Sequence, residues 1–169
     1  MSLSPGGTPL GTATPPAAMD PRIPVIQRMQ RGAGWFLTIA VLSGVNALLQ
    51  IFEAKIRFIF GLGITQVVDA VAHGMGQNGT LITIAIDGLF IAMLILCSRW
   101  AKAGSQGAFL GGMIAYALDG VLLLFFNMWL DAAVHAYALW MIWQGYSASR
   151  QLVQMQRAAQ PGLSQPQLP

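Results

Sequence analysis

The chain has 169 residues, of which 55% are hydrophobic and only 9% charged, with a net charge of +3 and a mean hydropathy of +0.59. Soluble domains carry about 25% charged residues, so this composition excludes a disordered protein, a nucleic-acid binder and an ordinary cytosolic enzyme, and leaves a multi-pass membrane protein. The cations stand singly or in small groups beside apolar runs, as membrane-flanking charges do, and the lone Cys97 excludes an intramolecular disulfide and a four-cysteine zinc site.

Residues 1–32 form a Pro/Gly/Ser/Thr-rich tail that is expected to be disordered, because it holds few large apolar groups to offset chain entropy. Ala33 to Phe52 is a charge-free run of 20 residues. A helix of that length covers about 30 Å, the thickness of the hydrocarbon layer. Phe58 to Met75 is also apolar but is interrupted by Gly61, Gly63, Gln66, Asp69 and His73. Thr80 to Ser98, broken only by Asp87, is a second span. Gly107 to Asn127, broken only by Asp119, is a third, and Ala132 to Ser149, containing His135 and Gln144, is a fourth. Residues 151–169 are a Gln/Pro-rich tail, ordered for a last helical turn or two. All nine prolines lie in the two tails.

Loop charges decide whether Phe58–Met75 spans. With five spans the cations divide 3 to 6 between the two sides; with four they divide 7 to 2, leaving only Lys55 and Arg57 opposite the termini. The positive-inside bias selects four spans with both termini cytoplasmic. Residues 56–75 then lie on the outer face as an amphipathic or re-entrant helix. Its polar face carries Gln66, Asp69 and His73, and Ile64, Val67, Val68 and Val71 lie opposite. The competing reading is a poor transmembrane helix whose polar face packs inward. The expected fold is therefore all-α, a four-transmembrane-helix bundle with one outer-face helix over residues 33–150. Gly107, Gly111 and Ala115, spaced by four, are expected to let a neighbouring helix approach closely. Trp35, Trp100, Trp129 and Tyr146 fall near span ends as an aromatic belt, while Trp140 and Trp143 are deeper and read as packing.

The chemistry-bearing groups are few. No Lys or Arg lies between Arg57 and Arg99 or between Lys102 and Arg150, so Asp87 and Asp119 have no cation at their own depth. A carboxylate in hydrocarbon is costly and is either functional or hydrogen-bonded. Ala85-Ile86-Asp87-Gly88-Leu89 echoes Ala117-Leu118-Asp119-Gly120-Val121 on consecutive antiparallel spans. Both acids reach about 16–18 Å from the loop joining those spans. Gly88 and Gly120 would let the helices meet there, and the two carboxyls are placed to share a proton. Asn46 arrives at a similar depth, and Asn127 and His135 flank the turn between the last two spans. The polar cluster expected on sequence grounds is Asn46, Asp87, Tyr116, Asp119 and His135, beneath Gln66, Asp69 and His73.

Three readings follow. The groups are interhelical hydrogen bonds in a non-enzymatic, structural or partner-binding bundle. Alternatively, they line an outward pocket for a proton, ion or small solute, with Asp87 and Asp119 as the working acids of a transport protein. A third reading takes Asp69-x-x-x-His73 and Asp131-x-x-x-His135 as metal ligands of a membrane hydrolase. Asp131 has a plainer role available, capping the start of the last span. No phosphate loop, His-Glu-x-x-His or Gly-x-Ser-x-Gly motif is present, and no cofactor is implied. The partners expected are the lipid bilayer and another membrane protein or a second copy of the chain, with no nucleic acid.

Gly112-Met113-Ile114-Ala115-Tyr116-Ala117-Leu118-Asp119, followed by Asp131, His135 and Gly145, resembles small polytopic bacterial inner-membrane proteins, mostly uncharacterised. Phe60-Gly61-Leu62-Gly63-Ile64-Thr65-Gln66 with Asp69 resembles the same group, and the likeness covers residues 34–152. It implies a bacterial inner-membrane protein and no particular activity. It marks Thr65, Gln66, Asp69, Tyr116, Asp119 and His135.

Overall fold

The computed structural model describes residues 20–51 and 77–159. They form helices α1 (Arg22–Ile51), α2 (Gln77–Lys102), α3 (Gln106–Phe125) and α4 (Trp129–Ala158), with no strand among the described residues. The expected outer-face helix, with Gln66, Asp69 and His73, lies outside the described residues.

Each helix buries one stripe at alternating three- and four-residue spacing. In α3 the stripe is Phe109, Gly112, Tyr116, Asp119 and Leu123; in α4 it is His135, Ala138, Ile142, Gly145 and Ser149. That spacing is the seam of near-parallel helix packing. The helices pack in a ring in chain order, with α1 closing against both α2 and α4. Neighbours run antiparallel. Ser98 Oγ of α2 donates to Ala33 O of α1 at 2.9 Å. Further along α1, Gly44 faces Ile91, which lies earlier in α2. Gly32 and Trp35 of α1 meet Gly145 and Tyr137 of α4, again in opposite order.

The two described turns are tight for a stated reason. At Gly104, φ is +91°, and Ser105 N–H donates to Trp100 O while Gly104 N–H donates to Ala101 O, both at 3.0 Å. At Asn127, φ is 57°, and Met128 N–H donates to Leu123 O at 3.0 Å while Asn127 N–H donates to Leu124 O at 3.1 Å. Both are Schellman closures, which need a left-handed residue that Gly or Asn supplies. Ser105 then caps α3, accepting from Ala108 N–H at 3.3 Å.

Helix α1 starts eleven residues before the expected span, within what reads as tail. Asp20 Oδ1 accepts from Arg22 N–H at 2.9 Å and holds the first turn, where Pro24 lacks a donor that the helix does not need. Val25 and Met29 continue the buried stripe, and Leu152 and Met155 of α4 pack on the same core. The three arginines that mark this stretch as tail stay exposed.

All seven described cations (Arg22, Arg28, Arg31, Arg99, Lys102, Arg150 and Arg157) lie at the bundle end that holds the start of α1, the α2–α3 turn and the end of α4. The far end has none among the described residues. Large apolar side chains such as Leu48, Leu89, Ile114, Leu118 and Phe125 point outward all round the bundle. Helices α1, α2 and α3 are long and apolar enough to cross a membrane. This is a helical bundle built for a lipid surround.

Two packing expectations change. Gly111 has nothing within 4 Å of where its Cβ would be, and Gly107 meets only Ser105, so the Gly107/Gly111 stripe does not bring α3 onto a described neighbour. The close approach belongs to Gly112, one residue and about 100° away, where an added Cβ would come within 2.6 Å of the Phe36 ring. Trp140 and Trp143 are exposed rather than packed, on the outward side of α4.

Candidate functional site

In the half of the bundle far from the cations, Tyr116, Asp119 and Gly120 of α3 share a face by their spacing of three and four residues, and all three address His135 of α4. His135 Nε2 lies 2.9 Å from Asp119 Oδ2, with the two residues 1% and 3% exposed. His135 Nδ1 lies 2.9 Å from Asp131 O, one turn earlier in its own helix. The Tyr116 ring stacks on the imidazole, with centroids 4.2 Å apart and planes 15° from parallel. Gly120 makes room, since a Cβ there would sit 3.2 Å from His135 Cβ.

The carbonyl partner fixes the direction of one hydrogen bond of the ring. A backbone carbonyl only accepts, so Nδ1 must donate to Asp131 O. Nε2 makes the second hydrogen bond of the ring, to Asp119 Oδ2. The hydrogen bond between them is how a carboxyl and an imidazole are tolerated without a cation at this depth.

Asp87 is buried, 5% exposed, and so is Thr83, which precedes it by one turn on the same stripe. Cys97 of α2 packs against Gly112 of α3, where an added Cβ would lie 3.3 Å from Cys97 Cβ. Extending that antiparallel register puts Asp87 and Asp119 within about one turn of the same depth. Asn46 is half-buried and, by the Gly44–Ile91 register, comes within a turn of the level of Asp87. Ser43, one turn before Asn46, is also buried. Asp87, Asn46, Thr83 and Asp119 each make a polar or electrostatic interaction. The hydroxyls of Tyr116 and Ser43 find no hydrogen-bond partner among the described residues.

The structure thus joins Tyr116, Asp119 and His135 directly, and surrounds them with buried Asp87 and half-buried Asn46. Gly88, expected to bring the helices together beside Asp87, is exposed with no described residue within 4 Å of its Cβ position. Gly120 alone of that pair fills the expected role. Asp131 does not cap α4: Met128 is the N-cap and no side chain closes it, while Asp131 sits in the first turn, where its charge favours the positive end of the helix.

Thr83 and Ser43 were missed in the sequence. Their signal is positional, four residues before Asp87 and three before Asn46. Both ring nitrogens of His135 are engaged, so Asp131-x-x-x-His135 is not an open ligand pair. No three His, Cys, Asp or Glu side chains group as a metal requires among the described residues, and Asp69 and His73 lie outside them. Compared with known protein families, curated proteins and solved structures, the chain finds no match.

Proposed function

We propose that this chain is a four-span integral membrane protein of a bacterial inner membrane, with both termini cytoplasmic. It acts as a non-enzymatic bundle that scaffolds or binds another membrane protein. The observation that carries the topology is the gathering of all seven described cations at one end. Helix α4 completes the set. It has no charged residue from Ala132 to Ser149, and Tyr137, Trp140 and Trp143 face outward from it. Aromatic residues of this kind are at home in a membrane interface although they lower mean hydropathy. The role as a bundle rests on the Tyr116–Asp119–His135 cluster, which ties α3 to α4.

A cysteine introduced as Ala103→Cys, in the exposed α2–α3 turn, will be labelled from the cytoplasmic side only, and Asn127→Cys from the outside only. Labelling of position 103 from outside intact cells overturns the topology. Affinity capture from native membranes should return a specific membrane partner that Asp119→Asn still binds. The transport reading keeps one supporting observation, the buried hydrogen bond between His135 and Asp119. Proton flux into proteoliposomes that Asp119→Asn abolishes without loss of folding would replace the scaffold reading with it.

A further inference from the structure

The basic end holds a feature that the buried cluster does not use. Between the first turns of α1 and the body of α4 lies a cleft of about 210 Å³, lined by Gln27, Arg28, Arg31 and Gly32 from α1 and by Met141 and Gln144 from α4. Arg28 and Arg31 stand three residues apart, are exposed, and form no ion pair with any described residue. Two guanidinium groups without a carboxylate present a concentrated positive field to whatever enters. Their planar forks match the oxygens of a phosphate, which each can bind in pairs. Across the cleft, Gln144 donates only to Met141 Sδ at 3.7 Å, a weak acceptor, and so retains an N–H for a stronger one.

One to two turns deeper on the same two helix faces are Trp35 and Tyr137, whose rings meet edge to face at 5.6 Å. Tyr137 and the neighbouring Trp140 are half exposed. A free anion has no use for that apolar continuation, whereas acyl chains cover it. The volume corresponds to about seven waters, room for a phosphodiester headgroup.

We propose that the α1–α4 cleft binds the phosphate headgroup of an anionic membrane lipid, with Arg28 and Arg31 on the phosphate oxygens and Trp35 and Tyr137 beneath the acyl chains. Basic clefts between spans on the cytoplasmic side suit such headgroups. The proposal rests on the reading that the basic end lies at the membrane surface. Extraction of the chain from membranes by alkaline carbonate overturns that reading independently of the cleft.

The test uses the full chain in neutral detergent, folded by circular dichroism, with melting temperature read against added phosphatidylglycerol, phosphatidylcholine or inorganic phosphate at fixed ionic strength. Phosphatidylglycerol should raise the melting temperature saturably, while phosphatidylcholine and inorganic phosphate should not. Arg28→Gln combined with Arg31→Gln should melt like wild type without lipid and bind phosphatidylglycerol roughly tenfold or more weakly. Arg150→Gln combined with Arg157→Gln removes equal charge from the same end and should leave the shift intact. Equal losses in the two double variants, or no shift in the wild type, would overturn the site. The full shift with inorganic phosphate alone would overturn the lipid assignment.

Discussion

Toward the basic end the helices meet backbone to backbone. A Cβ added at Gly145 would lie 2.7 Å from Gly32 Cα and 3.1 Å from Met29 O, and Gly112 is pressed against the Phe36 ring. In the far half α3 and α4 meet through side chains, with Tyr116 stacked on His135 and Asp119 bonded to it. Lipid supplies no hydrophobic force between helices, which leaves close van der Waals packing and interhelical hydrogen bonds. Glycine contacts mark the basic end, where Ser98 Oγ also donates to Ala33 O, and the His135–Asp119 hydrogen bond marks the far half. The two ends should therefore fail differently when changed.

The largest effect is expected at the glycine contact. Gly145→Val puts branched carbon into the α1 backbone, which has no rotamer to escape by. It should cost about 3 kcal/mol or more, read as loss of the cooperative melt in detergent. A mild effect there would mean that the basic end is not held by backbone contact.

Next comes Asp119. Asp119→Leu leaves the His135 Nε2 side without its partner in a buried site and should cost about 1–3 kcal/mol. Asp119→Asn keeps a hydrogen-bonding group of the same shape and should melt close to wild type. A Leu variant as stable as wild type would remove the clamp from the far half altogether.

Tyr116→Phe sharpens the same contrast. The stack on His135 survives, and the hydroxyl removed has no partner among the described residues. Stability should stay level or rise by up to about 1 kcal/mol. A clear loss would show that the hydroxyl is bonded to a group outside the described residues, which would extend the polar half of the comparison.

The smallest effect is expected for Gly111→Ala. Its added methyl meets nothing described, so the melt should move by no more than about 0.5 kcal/mol. Gly112→Ala in parallel should be the costlier of the two, because the Phe36 ring it meets is fully buried. Reversal of that order would restore the stripe expected at Gly107 and Gly111.

Some of this was legible in the residues alone. Long apolar runs, charge-poor interiors and cations at their edges follow from the solvent a segment must face, and that information is local. It identified a helical membrane bundle and placed breaks near Gly104 and Asn127, where left-handed residues close the helices. It also singled out Asp119 and His135, since a polar group in an apolar run stands out by itself. What a run cannot state is its rotation. One residue turns a helical face by about 100°, so Gly111 and Gly112 are equivalent in the sequence and opposite in the bundle. The same holds for Trp140, read as packing and found facing outward. The start of α1 was missed because Arg28 and Arg31 masked the Val25–Met29 stripe, which becomes a core only when α4 lies beside it. That Asp119 meets His135, and that Gly32 meets Gly145, depend on which helices are neighbours and at what register. Those facts belong to contacts between distant residues, and only the tertiary structure decides them.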